Sequence, residues 1–140
     1  MTTATVRVPA KINLCLGVGG ARPDGFHPLA TVYQAVDLFD QVRAELRDDD
    51  QLTVSVHSEV AQMEDSAVPM DHRNLAVRAA MLLRHQIGDP TLGIDLAIRK
   101  VIPVAGGMAG GSADAAAALV ACNEVWGAGL SRTELEPIAA

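Results

Sequence analysis

Apolar and polar residues alternate with period two at several places in the first hundred positions. Val6 and Val8 alternate with Thr5 and Arg7, and Val42, Ala44 and Leu46 with Gln41, Arg43 and Glu45. Leu52, Val54 and Val56 alternate with Thr53, Ser55 and His57, and Ile94, Leu96 and Ile98 follow the same rule. Such runs predict strands with one dry face and one wet face, the signature of antiparallel sheet rather than of doubly buried parallel sheet. "KINLCLGVG" and "LATVYQAVD" predict two more strands, joined by "ARPDGFHP" (21–28), whose Pro-Asp-Gly is a strong turn signal. The polar "LRDDDQL" (46–52) predicts a hairpin between the strands on either side of it.

The period then changes. In "NLAVRAAMLLRHQIG", Leu75, Ala79, Leu82, Leu83 and Ile87 predict one apolar helix face, with Gly88 as the stop. Ala115, Leu119, Cys122 and Trp126 predict a second stripe on a helix starting near Ser112. Ser131 and Glu134 have capping-box spacing at the start of a third. Several strands, a helix, a strand and a helix, with no strict βαβα rhythm, predict an α+β fold with helices packed on one face of a mostly antiparallel sheet.

Composition narrows the field. The 140 residues suffice for one core, and hydrophobic residues at 49% with aromatics at only 3% make that core aliphatic. Lys and Arg number 11 against 17 Asp and Glu, a net charge of −6 that argues against a surface tracking nucleic-acid phosphates. Cys15 and Cys122 lie far apart, fit no metal spacing and are predicted as buried free thiols in a reducing cytosol. The opening "MTTATVRVPAK" lacks the apolar core of a secretory signal, and no apolar run is long enough to span a bilayer. A soluble cytoplasmic domain is the expectation.

One segment asks for a chemical explanation. In "PVAGGMAGGSADAAAALVAC" (103–122), Gly106, Gly107, Gly110 and Gly111 precede a run of alanines. Glycine is the costliest residue to order and alanine the best helix former, so the loosest backbone abuts one of the tightest. A helix start offers unpaired amides and a partial positive charge, and glycines before it let the backbone close around an anion. The predicted product is a phosphate cradle. Glycine and alanine could instead serve only close helix packing, but the upstream strand and the polar Ser112-x-Asp114 favour the cradle. A Walker A loop from Gly106 to Gly111 requires Lys at 112, where Ser112 stands, and no register supplies the Rossmann spacing.

"PVAGGMAGGSADAAA" resembles the Pro-x-x-x-Gly-Leu-Gly-Ser-Ser-Ala-Ala loop of the GHMP kinases, the family of galactokinase, homoserine kinase and mevalonate kinase. "PAKINLCL", "RPDGFHPL" and "RNLAVRAA" occur in the family's order, and the resemblance runs from about Val6 to the last residue. It implies a layout shared with some ribosomal-protein domains, residues 1–140 forming the family's N-terminal ATP-binding domain. It also implies transfer of the γ-phosphate of ATP to an alcohol, with Mg²⁺ accompanying the nucleotide. The form of "RPDGFHPL" implies the branch that phosphorylates the 2-hydroxyl of a cytidine-diphosphate-linked methylerythritol, on the methylerythritol phosphate route to isoprenoid precursors.

The resemblance assigns roles to residues. Lys11 matches the catalytic lysine, whose cation stabilises a developing alkoxide; without the motif, Lys11 reads as an exposed strand lysine. Asn13 shares its face on a strand and suits a polyol. His27 matches the residue that reads the cytosine, and Phe26 replaces a Tyr that stacks on that ring. Asn74 and Lys100 fall where the family contacts the adenosine side of ATP, although Asn74 could merely cap its helix and Lys100 merely flank a strand. Pro103, Val104, Ala105, Gly106, Gly107, Met108, Ala109, Gly110, Gly111, Ser112 and Ala113 make the ATP loop, with Ser112 adding a hydroxyl donor. Asp114 is read as a first-turn carboxylate favoured by the helix dipole. No metal-ligating residue is assigned, and oligomeric state stays open.

The sequence departs from the family pattern at Ala109, for a usual glycine, and at Ala113, for a usual serine. The family's catalytic Asp, in a Gly-x-Asp-Val-Pro motif, is expected just beyond "ELEPIAA", along with a second domain, so these residues alone are expected to lack turnover. Alternatives are another small-molecule kinase of homoserine or mevalonate type, or a nucleic-acid-binding module of similar layout, against which the charge and the scarcity of aromatics speak.

Overall fold

A computed structural model describes residues 2–60 and 68–139. The elements follow in the order β1 (Thr3–Val18), β2 (Leu29–Arg47), β3 (Leu52–Ser58), α1 (Leu75–Ile87), β4 (Gly93–Lys100), α2 (Gly110–Val125) and α3 (Arg132–Leu135), with a 3₁₀ turn at Glu136–Ile138. The strands form one sheet in the order β1-β2-β4-β3. β1 pairs antiparallel with β2, β2 antiparallel with β4, and β3 parallel with β4. The α+β expectation holds.

Two of the predicted strands on each side of the Pro-Asp-Gly turn are single long strands. β1 runs through Pro9 because the pairing shifts register between Pro9 and Lys11, and again between Asn13 and Cys15. Irregular steps of this kind let a proline sit in a strand without breaking the ladder. The turn itself forms: the Arg22 carbonyl accepts from the Gly25 amide at 2.9 Å, and Gly25 takes φ +82°. Beyond the sheet the two strands continue as a ribbon that carries Leu14, Leu16, Val18, Leu29, Val32 and Tyr33 exposed.

The hairpin expected at 46–52 does not form. β2 and β3 flank that turn but do not pair, because β4 lies between them and joins β3 in parallel. A parallel pair requires a crossover, and α1 provides it. Gly93 opens β4 against the turn, where a Cβ would stand 1.9 Å from the Asp49 carbonyl oxygen, so only glycine fits.

The core lies between the sheet and α1 with α2. Val42, Ala44, Ile94, Leu96 and Ile98 from the sheet meet Ala76, Val77, Ala80 and Leu83 of α1 and Ala117, Ala118, Leu119, Ala121 and Cys122 of α2. Alanine predominates on the helices, which brings their backbones close to the sheet and to each other. The α1 face differs from expectation: Ala76, Val77, Ala79, Ala80 and Leu83 are buried, while Leu75 and Leu82 are 42% and 53% exposed. The helix presents its small residues and Leu83 inward because α2 packs against it, and Leu75 and Leu82 fall outside the contact. Gly88 ends α1 in the left-handed conformation, as predicted, with φ +79°. Glu134 accepts from the Ser131 amide at 2.9 Å at the start of α3. Of the two cysteines, Cys122 is buried, its thiol pushed up to about 12 by desolvation. Cys15 is exposed on the ribbon, contrary to expectation, since that strand has left the core.

Candidate active site

The segment after β4 turns through Pro103, Val104 and Ala105 into the glycines, then enters α2 at Gly110. Ala105 and Ala109 hold φ values of +59° and +58°, and Gly107 holds +71°. Left-handed backbone strains an L-residue by roughly 1–2 kcal/mol, so two such alanines mark a loop whose shape the surroundings dictate. Ala109 is the N-cap of α2, and no side chain caps the helix start. Its first amides are therefore not satisfied by a cap.

These residues line a cavity of about 310 Å³, bounded by Pro103 through Ser112, Lys100 and Asp114 on one side and by Val68, Pro69, Arg73, Asn74 and Leu75 on the other. Ala113 is not among its walls. The floor is tight at Gly110, where a Cβ would stand 2.8 Å from the buried Lys100 Nζ, and closer than usual at Gly111, where one would press Leu75 at 3.3 Å. Backbone amides, an uncapped helix start and close-approaching glycines fit a polyphosphate. Among the described residues no group of three or more His, Cys, Asp or Glu is placed to hold a metal ion.

Lys11 meets this loop from β1. Its Nζ donates to the Gly107 carbonyl at 2.8 Å and to Asn13 Oδ1 at 2.7 Å, and it lies 5.2 Å from the centre of the Tyr33 ring. Asn13 in turn donates to Thr31 Oγ1 at 2.7 Å, and Thr31 donates to the Cys15 carbonyl at 2.8 Å. The strand ladder thus orients the amide, and the amide orients the ammonium. Phe26 and His27 stand elsewhere, at the tip of the ribbon. Phe26 is 72% exposed, and His27 Nδ1 lies 2.8 Å from the Gly19 carbonyl, which makes Nδ1 the donor and leaves Nε2 as acceptor in a neutral ring.

Asn74 caps α1: its Oδ1 accepts from the Ala76 amide at 2.9 Å and its Nδ2 donates to the Pro69 carbonyl at 2.8 Å. Lys100 does not present a free cation to the cavity. Only 2% exposed, its Nζ donates to Asp40 and to Asp114. Sequence reasoning missed Asp40, Thr31 and Tyr33. The available signal for Asp40 was its place, with Asp37, among the apolar residues of "AVDLFDQV".

Burial pushes the Asp114 carboxyl up to about 7, against the pull of Lys100 and with the help of Asp40. In the unfolded chain the same group ionises near 3.8. Between those values the folded state binds the extra proton, so this group's contribution is most favourable at low pH and is lost as pH rises. We expect Asp114→Asn to flatten that slope. Denaturant titrations at pH 5 and pH 6 should show the wild type losing ~1 kcal/mol relative to the variant; parallel behaviour would contradict the assignment.

The pattern described as GHMP kinases N terminal domain matches residues 74–140. A protein of Cutibacterium acnes named 4-diphosphocytidyl-2-C-methyl-D-erythritol kinase is 51% identical over 142 residues, which cover 99% of this chain and 44% of the relative. A crystal structure of 4-(cytidine 5'-diphospho)-2C-methyl-D-erythritol kinase superposes with a TM-score of 0.72 at 30% identity, covering 98% of this chain and 46% of the other. Homoserine kinase from Cytophaga hutchinsonii shares the fold, with a TM-score of 0.75 at 22% identity over 99% of this chain and 40% of its own. The chain thus spans less than half the length of these proteins. Residues 74–140 therefore match the N-terminal domain of the GHMP kinase family, and similarity to kinases of this kind runs along nearly the whole chain.

Proposed function

We propose that residues 1–140 are the ATP-binding N-terminal domain of a cytoplasmic kinase that phosphorylates the 2-hydroxyl of 4-diphosphocytidyl-2-C-methyl-D-erythritol. The observation that carries the reading is the span between the two ends of the β1–β2 ribbon. Lys11 touches the glycine loop at one end, and His27 and Phe26 stand at the other, beyond the last ladder pair, Val18 with Leu29. At ~3.3 Å per residue the two ends lie roughly 20 Å apart. A nucleoside diphosphate joined to a short polyol is long enough to lie along that ribbon, whereas homoserine and mevalonate are not. At the tip, His27 Nε2 suits the exocyclic amine of cytosine, and Phe26 offers an aromatic face for its ring.

In this reading the amides of Gly106 to Ser112 hold the ATP phosphates, and Mg²⁺ accompanying the nucleotide would supply neutralising charge to them. The acceptor hydroxyl gives up its proton to solvent as its oxygen forms the bond to the γ-phosphorus, the bond to the β–γ bridging oxygen breaks, and ADP leaves. Lys11 supplies the fixed cation. Two of its three donors go to Gly107 and Asn13, which fix the ammonium against the loop. A preset cation there stabilises charge as it develops on the transferring group, without reorganising water.

The test is a choice of acceptor. In the natural full-length polypeptide, ATP consumption is expected with the diphosphocytidyl polyol and at least 100-fold less with homoserine or mevalonate at equal concentration, since the latter leave the ribbon tip unused. Comparable turnover of either small acceptor would overturn the proposed substrate while leaving the kinase class intact.

A further inference from the structure

One ammonium lies beneath the glycine loop with two carboxylates folded onto it. Lys100 ends β4, Asp40 lies on β2 and Asp114 lies in the first turns of α2, and they are 2%, 0% and 3% exposed. Lys100 Nζ donates to Asp40 Oδ2 and, at 2.8 Å, to Asp114 Oδ2. The other Asp40 oxygen accepts from the amides of Val101 at 2.6 Å and Ile102 at 2.8 Å. Val101 and Ile102 are the stem by which the chain enters the loop, and Asp114 belongs to the stem by which it leaves. A single cation therefore ties entry to exit.

The charges do not balance. Two ionised carboxylates and one ammonium leave a net negative charge in a dry site, and the second oxygen of Asp114 is buried without a hydrogen-bond partner. An anionic oxygen so placed is expensive, and a neutral carboxyl is the cheaper state. Asp40 has three donors around it, the Lys100 ammonium and the amides of Val101 and Ile102, whereas Asp114 has only Lys100.

We propose that Asp40, Lys100 and Asp114 are positioning residues of the nucleotide site, stapling the two stems of the loop, and that Asp114 takes up a proton when a polyphosphate enters the cradle. The inference rests on the nucleotide reading given above. A polyphosphate brings negative charge to the same helix end, so an ionised Asp114 opposes it. Protonation removes the repulsion and leaves Oδ2 accepting from Lys100. The charged groups facing Asp114 are Lys100 from β4 and Asp40 from β2. Arg73, before α1, lines the same cavity but is paired with Asp71, and Lys11 from β1 meets the loop at Gly107.

The experiment is calorimetric titration of ATP into the natural full-length polypeptide at pH 6, 7 and 8, in buffers of differing ionisation heat. Wild type, Asp114→Asn and Asp114→Ala are compared, so that the titration of ATP itself cancels. Near pH 7 the wild type is expected to absorb more protons per ATP than Asp114→Asn. With a coupling of one pH unit, its Kd rises about fivefold from pH 6 to pH 8 beyond any change in the variant. Asp114→Asn, which still accepts from Lys100, binds at pH 8 at least as well as wild type; Asp114→Ala binds weakly at every pH. The nucleotide KM follows these changes and the acceptor KM does not. Equal proton uptake and parallel pH profiles in wild type and Asp114→Asn would overturn the inference even with ATP bound. A wild type that binds no ATP would overturn the nucleotide reading, and this inference with it.

Discussion

Replacing Lys11 by Met should lower kcat of the full-length polypeptide by about 10²–10³-fold while leaving the ATP dissociation constant within a fewfold of wild type. The side chain keeps its length and its aliphatic stem but loses the ammonium that reaches Gly107 and Asn13. In the proposed function polyphosphate is held by the loop's own amides, so ground-state binding survives the loss. Charge migrating through the transferring group is what the ammonium serves, so the loss appears in the transition state. Steady-state kinetics and nucleotide titration on the same preparation separate the two. A variant that keeps near-normal kcat, or one that loses ATP affinity in proportion to rate, would remove Lys11 from the chemistry.

Asp40→Ala is expected to cost about 3–5 kcal/mol of folding stability, the range for breaking a buried ion pair by removing one partner. Three donors lose their acceptor at once: the Lys100 ammonium and the amides of Val101 and Ile102. Two of the three lie out of reach of bulk water, because Lys100 and Ile102 are nearly or fully buried, and Val101 is half-buried. Asp114 remains as a partner but already accepts from Lys100, so it does not replace what the amides lose. Urea unfolding of wild type, Asp40→Asn and Asp40→Ala gives the measurement, with Asn retaining an acceptor and falling between them. A loss below ~1 kcal/mol for the alanine variant would show that the cluster is not what holds the loop stems.

The elements themselves were readable in the chain's alternation, and Ile94, Leu96 and Ile98 are as deeply buried as their pattern implies. Strand order was not. "LRDDDQL" looks the same whether its neighbours pair or stand apart to admit a third strand, because a turn records polarity and not what lies beside it. The α1 face was misjudged for a related reason: leucines stand out in a helical pattern, yet the tight contact with α2 selected alanines. Cys15 was predicted by residue type, which says nothing of a strand that outruns its sheet. At the site, the glycine run announced an anion cradle, and the family resemblance supplied Lys11 and His27. Asp40 escaped notice because a carboxylate in a strand reads as part of a wet face until a lysine sixty residues later folds onto it.

The placement of β4 between β2 and β3 has a consequence for how the chain acquires its shape. β2 has a ladder partner in β1 early in synthesis, but its other edge and the whole of β3 wait for residues 93–100 to arrive. Contacts between segments so distant in sequence form late, since their loops must close before any pairing rewards the closure. Until then two open edges with apolar faces coexist on one nascent polypeptide, the arrangement most prone to pairing with a neighbour. The strand that completes the sheet is also the one that delivers Lys100 and the glycine loop, so the proposed cradle takes form at the same moment as the sheet beneath it.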